Sequence, residues 1–137
     1  MADLGMTESR KCTPAEPAKS RDWLHQPIGI AFWWGMPIGL GMSTNFWHLP
    51  LTDTAFVWAV ALAWMGTGCA LNALRCGRRH CFISAPVLWL GAIAAGLVGL
   101  NVLSGRSALG EAVNGAIALA ALSFLSEWFW GLYAARK

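Results

Sequence analysis

Charge is what this sequence has least of. Asp, Glu, Lys and Arg make up 12% of its 137 residues, about half the share usual in soluble domains. They are also clustered, with none between Trp23 and Thr52, none between Thr54 and Leu74, and none between Cys81 and Gly105. With 56% hydrophobic residues and a mean hydropathy of +0.48, the chain departs from the soluble globular class and points to a membrane protein. Ten-residue segments of alternating hydrophobicity are missing, which excludes an outer-membrane barrel. A basic n-region followed by an apolar h-region is missing too, so the start of the chain does not read as a signal peptide. The net charge of +3 is too modest to suggest nucleic-acid binding.

Each charge-free gap is long enough to cross a hydrocarbon core, which takes roughly 20 apolar residues. A further run, from Ser107 to Ala135, is interrupted only by Glu111 and Glu127. The predicted fold is therefore an all-α integral membrane protein of four transmembrane helices, at about 27–48, 54–76, 83–104 and 108–133. Their short links imply an antiparallel up-down bundle over 23–137. Pro27 suits a first helical turn, and Pro37 predicts a kink in mid-span. The tail, residues 1–22, mixes Pro, Ala, Lys and Glu without periodicity and is expected to be disordered.

Every Lys and Arg except Arg106 falls on one side of these spans: Arg10, Lys11, Lys19 and Arg21 in the tail, Arg75, Arg78 and Arg79 in the second link, Arg136 and Lys137 at the end. By the positive-inside rule both termini and the second link face the cytoplasm of a cell whose inner (plasma) membrane holds the protein as a multi-pass chain.

Tryptophan is unusually frequent, with nine copies. Trp23, Trp47, Trp58, Trp128 and Trp130 fall near span ends, where indoles suit the headgroup level. Trp33, Trp34, Trp64 and Trp89 lie deeper, as packing residues or cavity lining. Gly35 and Gly39 form a GxxxG pair that would let a second helix approach. Asn45, His48, Asn101 and Asn114 are predicted near the outer half as a small polar network. Glu111 is placed at the start of the fourth span, where a helix N-terminus favours negative charge. Glu127 falls deeper and is expected to pair with Arg75 or Arg78, to be protonated, or to assist a cation.

The second link, "RCGRRHC" from Arg75 to Cys81, carries the chemistry. Cys69, Asn72 and Cys76 stand at i, i+3 and i+7, so all three share one face of the second span, with Cys69 about 10 Å deeper than Cys76. Cys76, His80 and Cys81 cluster at the predicted cytoplasmic mouth. Thiolate and imidazole are the ligands of soft or borderline ions such as Hg(II), Cu(I) and Zn(II), and neighbouring arginines favour the thiolate. The candidate metal ligands are thus Cys69, Cys76, His80 and Cys81, with Asn72 and Glu127 assisting. Cysteine also fills membrane-helix cores as a small apolar residue, and a lone pair falls short of the four ligands of a structural zinc site. Cys12, in the tail, stands apart.

A small inner-membrane chain of this topology with a cytoplasmic cysteine pair resembles the bacterial mercuric-ion transport proteins. The resemblance implies a path from a membrane-embedded thiol, matched by Cys69, to a cytoplasmic pair, matched by Cys76 and Cys81, and on to a reductase. The cysteine pair that those proteins carry in their first helix has no counterpart here. Three functions follow: a transporter or membrane chaperone for a soft metal ion, a non-catalytic structural or assembly subunit of a larger membrane complex, and a quinone-linked thiol oxidoreductase. The last would need paired cysteines on the outer side, so no enzymatic activity is expected. The partners expected are the lipid bilayer and further copies of the chain or a larger complex.

Overall fold

The computed structural model describes residues 26–76, 79–103 and 105–125. The tail, Cys12, Trp23, Arg78, Glu127, Trp128, Trp130 and both termini lie outside those residues, as does the side chain of Cys76. Four helical elements follow one another. The first, α1, covers 27–46 as Pro27–Ile30, a π-helical turn at Ala31–Gly35 and Met36–Phe46. It is followed by α2 (Leu51–Cys76), α3 (Arg79–Gly99) and α4 (Arg106–Ser123). Two of the four are long and apolar enough to cross a membrane, Leu51–Arg75 and Arg79–Gly99. By contrast, α1 is broken by its π turn, and the 18 residues of α4 include Arg106 and Glu111.

The expected kink at Pro37 takes the form of that π turn. Proline has no N–H to donate and its ring presses on the carbonyl four residues earlier, which here belongs to Trp33. The backbone widens just ahead of it, and the Met36 N–H reaches the Ala31 carbonyl, five residues back. The end of α3 falls at Gly99, earlier than predicted, because Asn101 turns the chain with φ 58°. Its N–H donates to the Val98 carbonyl at 3.0 Å and the Val102 N–H to the Leu97 carbonyl at 2.9 Å, the paired bonds of a Schellman stop. His48 (φ 47°) plays the same part after α1, with the Leu49 N–H on the Thr44 carbonyl at 3.4 Å. Asp53 in the first turn of α2 and Arg75 in its last complement the helix dipole. Since α4 begins at Arg106, Glu111 lies past the first turn and is exposed, so the N-terminal role predicted for it does not hold.

Buried positions recur every three or four residues: Ala55, Trp58, Leu62, Met65, Cys69 and Asn72 on α2, and Leu109, Val113, Ala116, Ala120 and Ser123 on α4. This 3.5-residue period is the seam of helices packed nearly antiparallel or parallel at shallow angle. The α2–α3 hairpin is the most extensive pairing; α4 packs on α3 and α1 on α2. The interior is rich in small residues, around a few large ones such as Leu62, Met65 and Leu88, and most large apolar side chains face outward. Ala61, Ala85, Ala95 and Ala120 are buried, while Leu90 is 66% and Ile93 61% exposed.

Close approach rests on glycines other than those predicted. A Cβ built on Gly91 would fall 2.5 Å from Ala116 Cβ, so α3 and α4 touch there nearly backbone to backbone. Indoles cover three more: Trp58 lies on Gly41, Trp89 on Gly66 and Trp33 on Gly68. A Cβ built on Gly35 or Gly39, the GxxxG pair, would meet no atom of another helix within 4 Å among the described residues. Trp58, assigned to a membrane boundary by sequence position, is instead core at 9% exposure. Trp47 is exposed at the end of α1, as predicted.

Candidate functional site

Helix α3 starts at Arg79, so the last three residues of "RCGRRHC" are helical. That single shift rebuilds the site. Its first turn carries His80 and Cys81 into the bundle, where both are fully buried, instead of leaving them in a loop at the membrane boundary. Consecutive helical residues point about 100° apart, so the two face different neighbours: Cys81 meets α2 and His80 meets α4.

On the α2 side the buried Cys69 and Cys81 thiols lie beside each other, close enough to interact electrostatically, with Ser84 next to Cys69. The Asn72 amide, one turn beyond Cys69, donates from Nδ2 to Cys81 Sγ at 3.7 Å. On the α4 side, the His80 ring stacks on Phe124 with centroids 4.0 Å apart and planes at 25°. Phe124 in turn meets Trp34 of α1 at 6.3 Å. His80 Nε2 lies 3.3 Å from Cys81 Sγ, linking the two halves. The backbone carbonyl of His80 accepts from Ser84 Oγ at 2.7 Å and from Ser123 Oγ at 3.5 Å.

Of the predicted metal ligands, Cys69, His80 and Cys81 come together, with Asn72 beside them. Cys76 ends α2 on the same stripe, with its side chain outside the described residues, and Glu127 lies outside them altogether. The stepwise path from a deep thiol to an exposed pair is replaced by Cys69 and Cys81 side by side. Among the described residues no three or more of His, Cys, Asp and Glu are disposed to hold a metal ion. A tetrahedral four-ligand zinc centre is thus not formed by these residues. What the site offers is two adjacent sulfurs, an imidazole able to take a proton from one of them, and an amide donor that steadies the same sulfur. Ser84, Ser123 and Phe124 were missed by sequence reasoning. The two serines carry a faint signal as hydroxyls inside apolar runs, and Phe124 carries none.

The predicted outer polar network forms only in part. Asn45 and His48 line a cavity of about 210 Å³ with Thr44, Leu49, Thr54 and Arg106. Asn101 serves the α3 stop, and Asn114 is exposed on α4.

The chain matches no family model, no curated protein and no solved structure.

Proposed function

We propose that this chain is a four-span protein of the inner (plasma) membrane, with both termini in the cytoplasm, that binds a soft metal ion at Cys69 and Cys81 and passes it across the bilayer. The observation that carries this reading is the pairing of two buried thiols side by side across the α2–α3 interface, near its arginine-rich end. The membrane assignment is supported by two spans of sufficient length and by the outward display of large apolar side chains, a surface that water-soluble proteins rarely present. The asymmetry of Lys and Arg supports the orientation.

The ligand set favours ions content with two sulfurs. Hg(II) with two thiolates is neutral and so adds no charge to an apolar interior, where uncompensated charge is costly. Cu(I) with two thiolates carries one negative charge, which a proton on His80 would offset. Zn(II) would need further ligands. Binding releases the thiol protons, and His80 is placed to receive the one from Cys81. The likeness to mercuric-ion transport proteins points the same way.

Reduced, full-length protein in detergent is expected to bind about one Hg(II) or Cu(I) with a sulfur-to-metal absorption band. The band should be lost in Cys69→Ser and in Cys81→Ser and kept in Cys12→Ser. A band unchanged by the first two substitutions overturns the site.

A second reading, a structural subunit of a larger membrane complex, is favoured by the outer face of α1 and α2. There Phe32, Trp33, Val60 and Trp64 border an apolar groove, and Gly35 and Gly39 are uncovered. A subunit of that kind would assemble normally with both cysteines replaced.

A further inference from the structure

One cation stands apart from the charge bias of this chain. Arg106 is the lone Lys or Arg on the side predicted to face outward, where the positive-inside tendency disfavours it. The structure sets it in the wall of the 210 Å³ cavity, opposite residues from the end of α1 and the start of α2. We propose that this cavity binds a phosphate group, supplied either by a lipid headgroup or by inorganic phosphate.

The wall is polar and carries three side chains able to donate. Arg106 brings a guanidinium whose planar fork matches phosphate oxygens two at a time. Asn45 contributes an amide and His48 an imidazole, while the Thr44 and Thr54 hydroxyls, which line the same space, give their protons to the Gly41 and Leu49 carbonyls. Among the described residues Leu49 is the single apolar contributor, and none of those lining the space is a carboxylate. The nearest acids in sequence are Asp53, exposed in the first turn of α2, and Glu111, exposed on α4; neither is part of the wall. With liquid water occupying about 30 Å³ per molecule, the volume suits a phosphate group and a few waters.

Backbone conformation adds an independent sign. His48 sits in the left-handed region at φ 47°, a conformation that costs a residue other than glycine some backbone strain. Such strain concentrates at functional sites. A glycine would stop α1 at less cost, and only the histidine supplies a ring to the cavity. The site also lies at the end of α2 opposite the arginine-rich link, the level at which a bilayer presents its phosphates.

The test uses full-length protein in phosphatidylcholine nanodiscs, titrated with inorganic phosphate by calorimetry. In parallel, retention of phosphatidylglycerol on detergent-purified protein is followed by native mass spectrometry. Saturable phosphate binding weakened roughly tenfold or more by Arg106→Gln identifies a free-phosphate site. Absence of phosphate binding with phosphatidylglycerol retained by the wild type and lost in Arg106→Gln identifies a headgroup site. If neither ligand binds, or if Arg106→Gln binds as the wild type does, the proposal is overturned. His48→Gln, read the same way, replaces Arg106→Gln should the latter lose helical circular dichroism. Cys69→Ser should leave this binding unchanged, which separates the outcome from that of the thiol site.

Discussion

Asn72 is the side chain whose role is easiest to isolate, because it touches the proposed ligand without being one. Its Nδ2 donates to Cys81 Sγ inside a largely apolar core. Partners of this kind orient a metal ligand, and their loss commonly costs about 10–100-fold in affinity. Asn72→Leu is therefore expected to weaken Hg(II) binding by that order, measured by competition with a small dithiol, while keeping the one-to-one stoichiometry. At Asn101 the backbone decides the outcome. Asn101→Gly should leave thermal stability unchanged or raised, whereas Asn101→Val should lower it by about 1–2 kcal/mol, since a β-branched residue resists φ 58°. Cys69 and Asn72 were legible in the sequence as a stripe on one helix face. The partner of Cys69 was not, because three arginines made Arg75–Cys81 read as a solvated loop, and a helix starting at Arg79 puts Cys81 in the core.

At the level of elements, the charge gaps located the helix starts to within a few residues, while the end set at 133 lies outside the described residues; they carried no information on rotation about the helix axes. The glycines show this best. The GxxxG spacing at Gly35 and Gly39 suggested an interface and faces none among the described residues, while Gly91, with no such spacing, brings α3 against Ala116 of α4. Gly91→Ala should cost about 1–3 kcal/mol as an overpacked contact. Gly110→Ala, at a position with nothing within 4 Å, should stabilise by up to about 1 kcal/mol through helix propensity. Thermal unfolding of both variants in one detergent checks the pair. Pro37 announced a break in α1 but not its form, since kinks and π turns answer the same lost hydrogen bond.

For the whole molecule, orientation is the property most directly open to measurement. With Cys12 and Cys76 replaced by serine, a cysteine at Ser107 should react with a membrane-impermeant maleimide added to intact cells. One at Arg75 should react only after permeabilisation. The reverse pattern would invert the bundle and place the thiol site toward its outer side. Composition alone foretold helices, and two of them are long and apolar enough to cross a membrane; the distribution of residue sizes emerged only from packing. That distribution, mostly small within and large without, reverses the ordinary sense of damage in a protein core. Where interior positions are alanine and glycine, there is little volume to delete and almost none to add. A survey of all substitutions should therefore find enlargement severe at those alanines and glycines, with truncation costly only at the few large buried side chains such as Leu62, Met65 and Leu88. On the outward faces, leucine, isoleucine, valine and phenylalanine should exchange with little consequence.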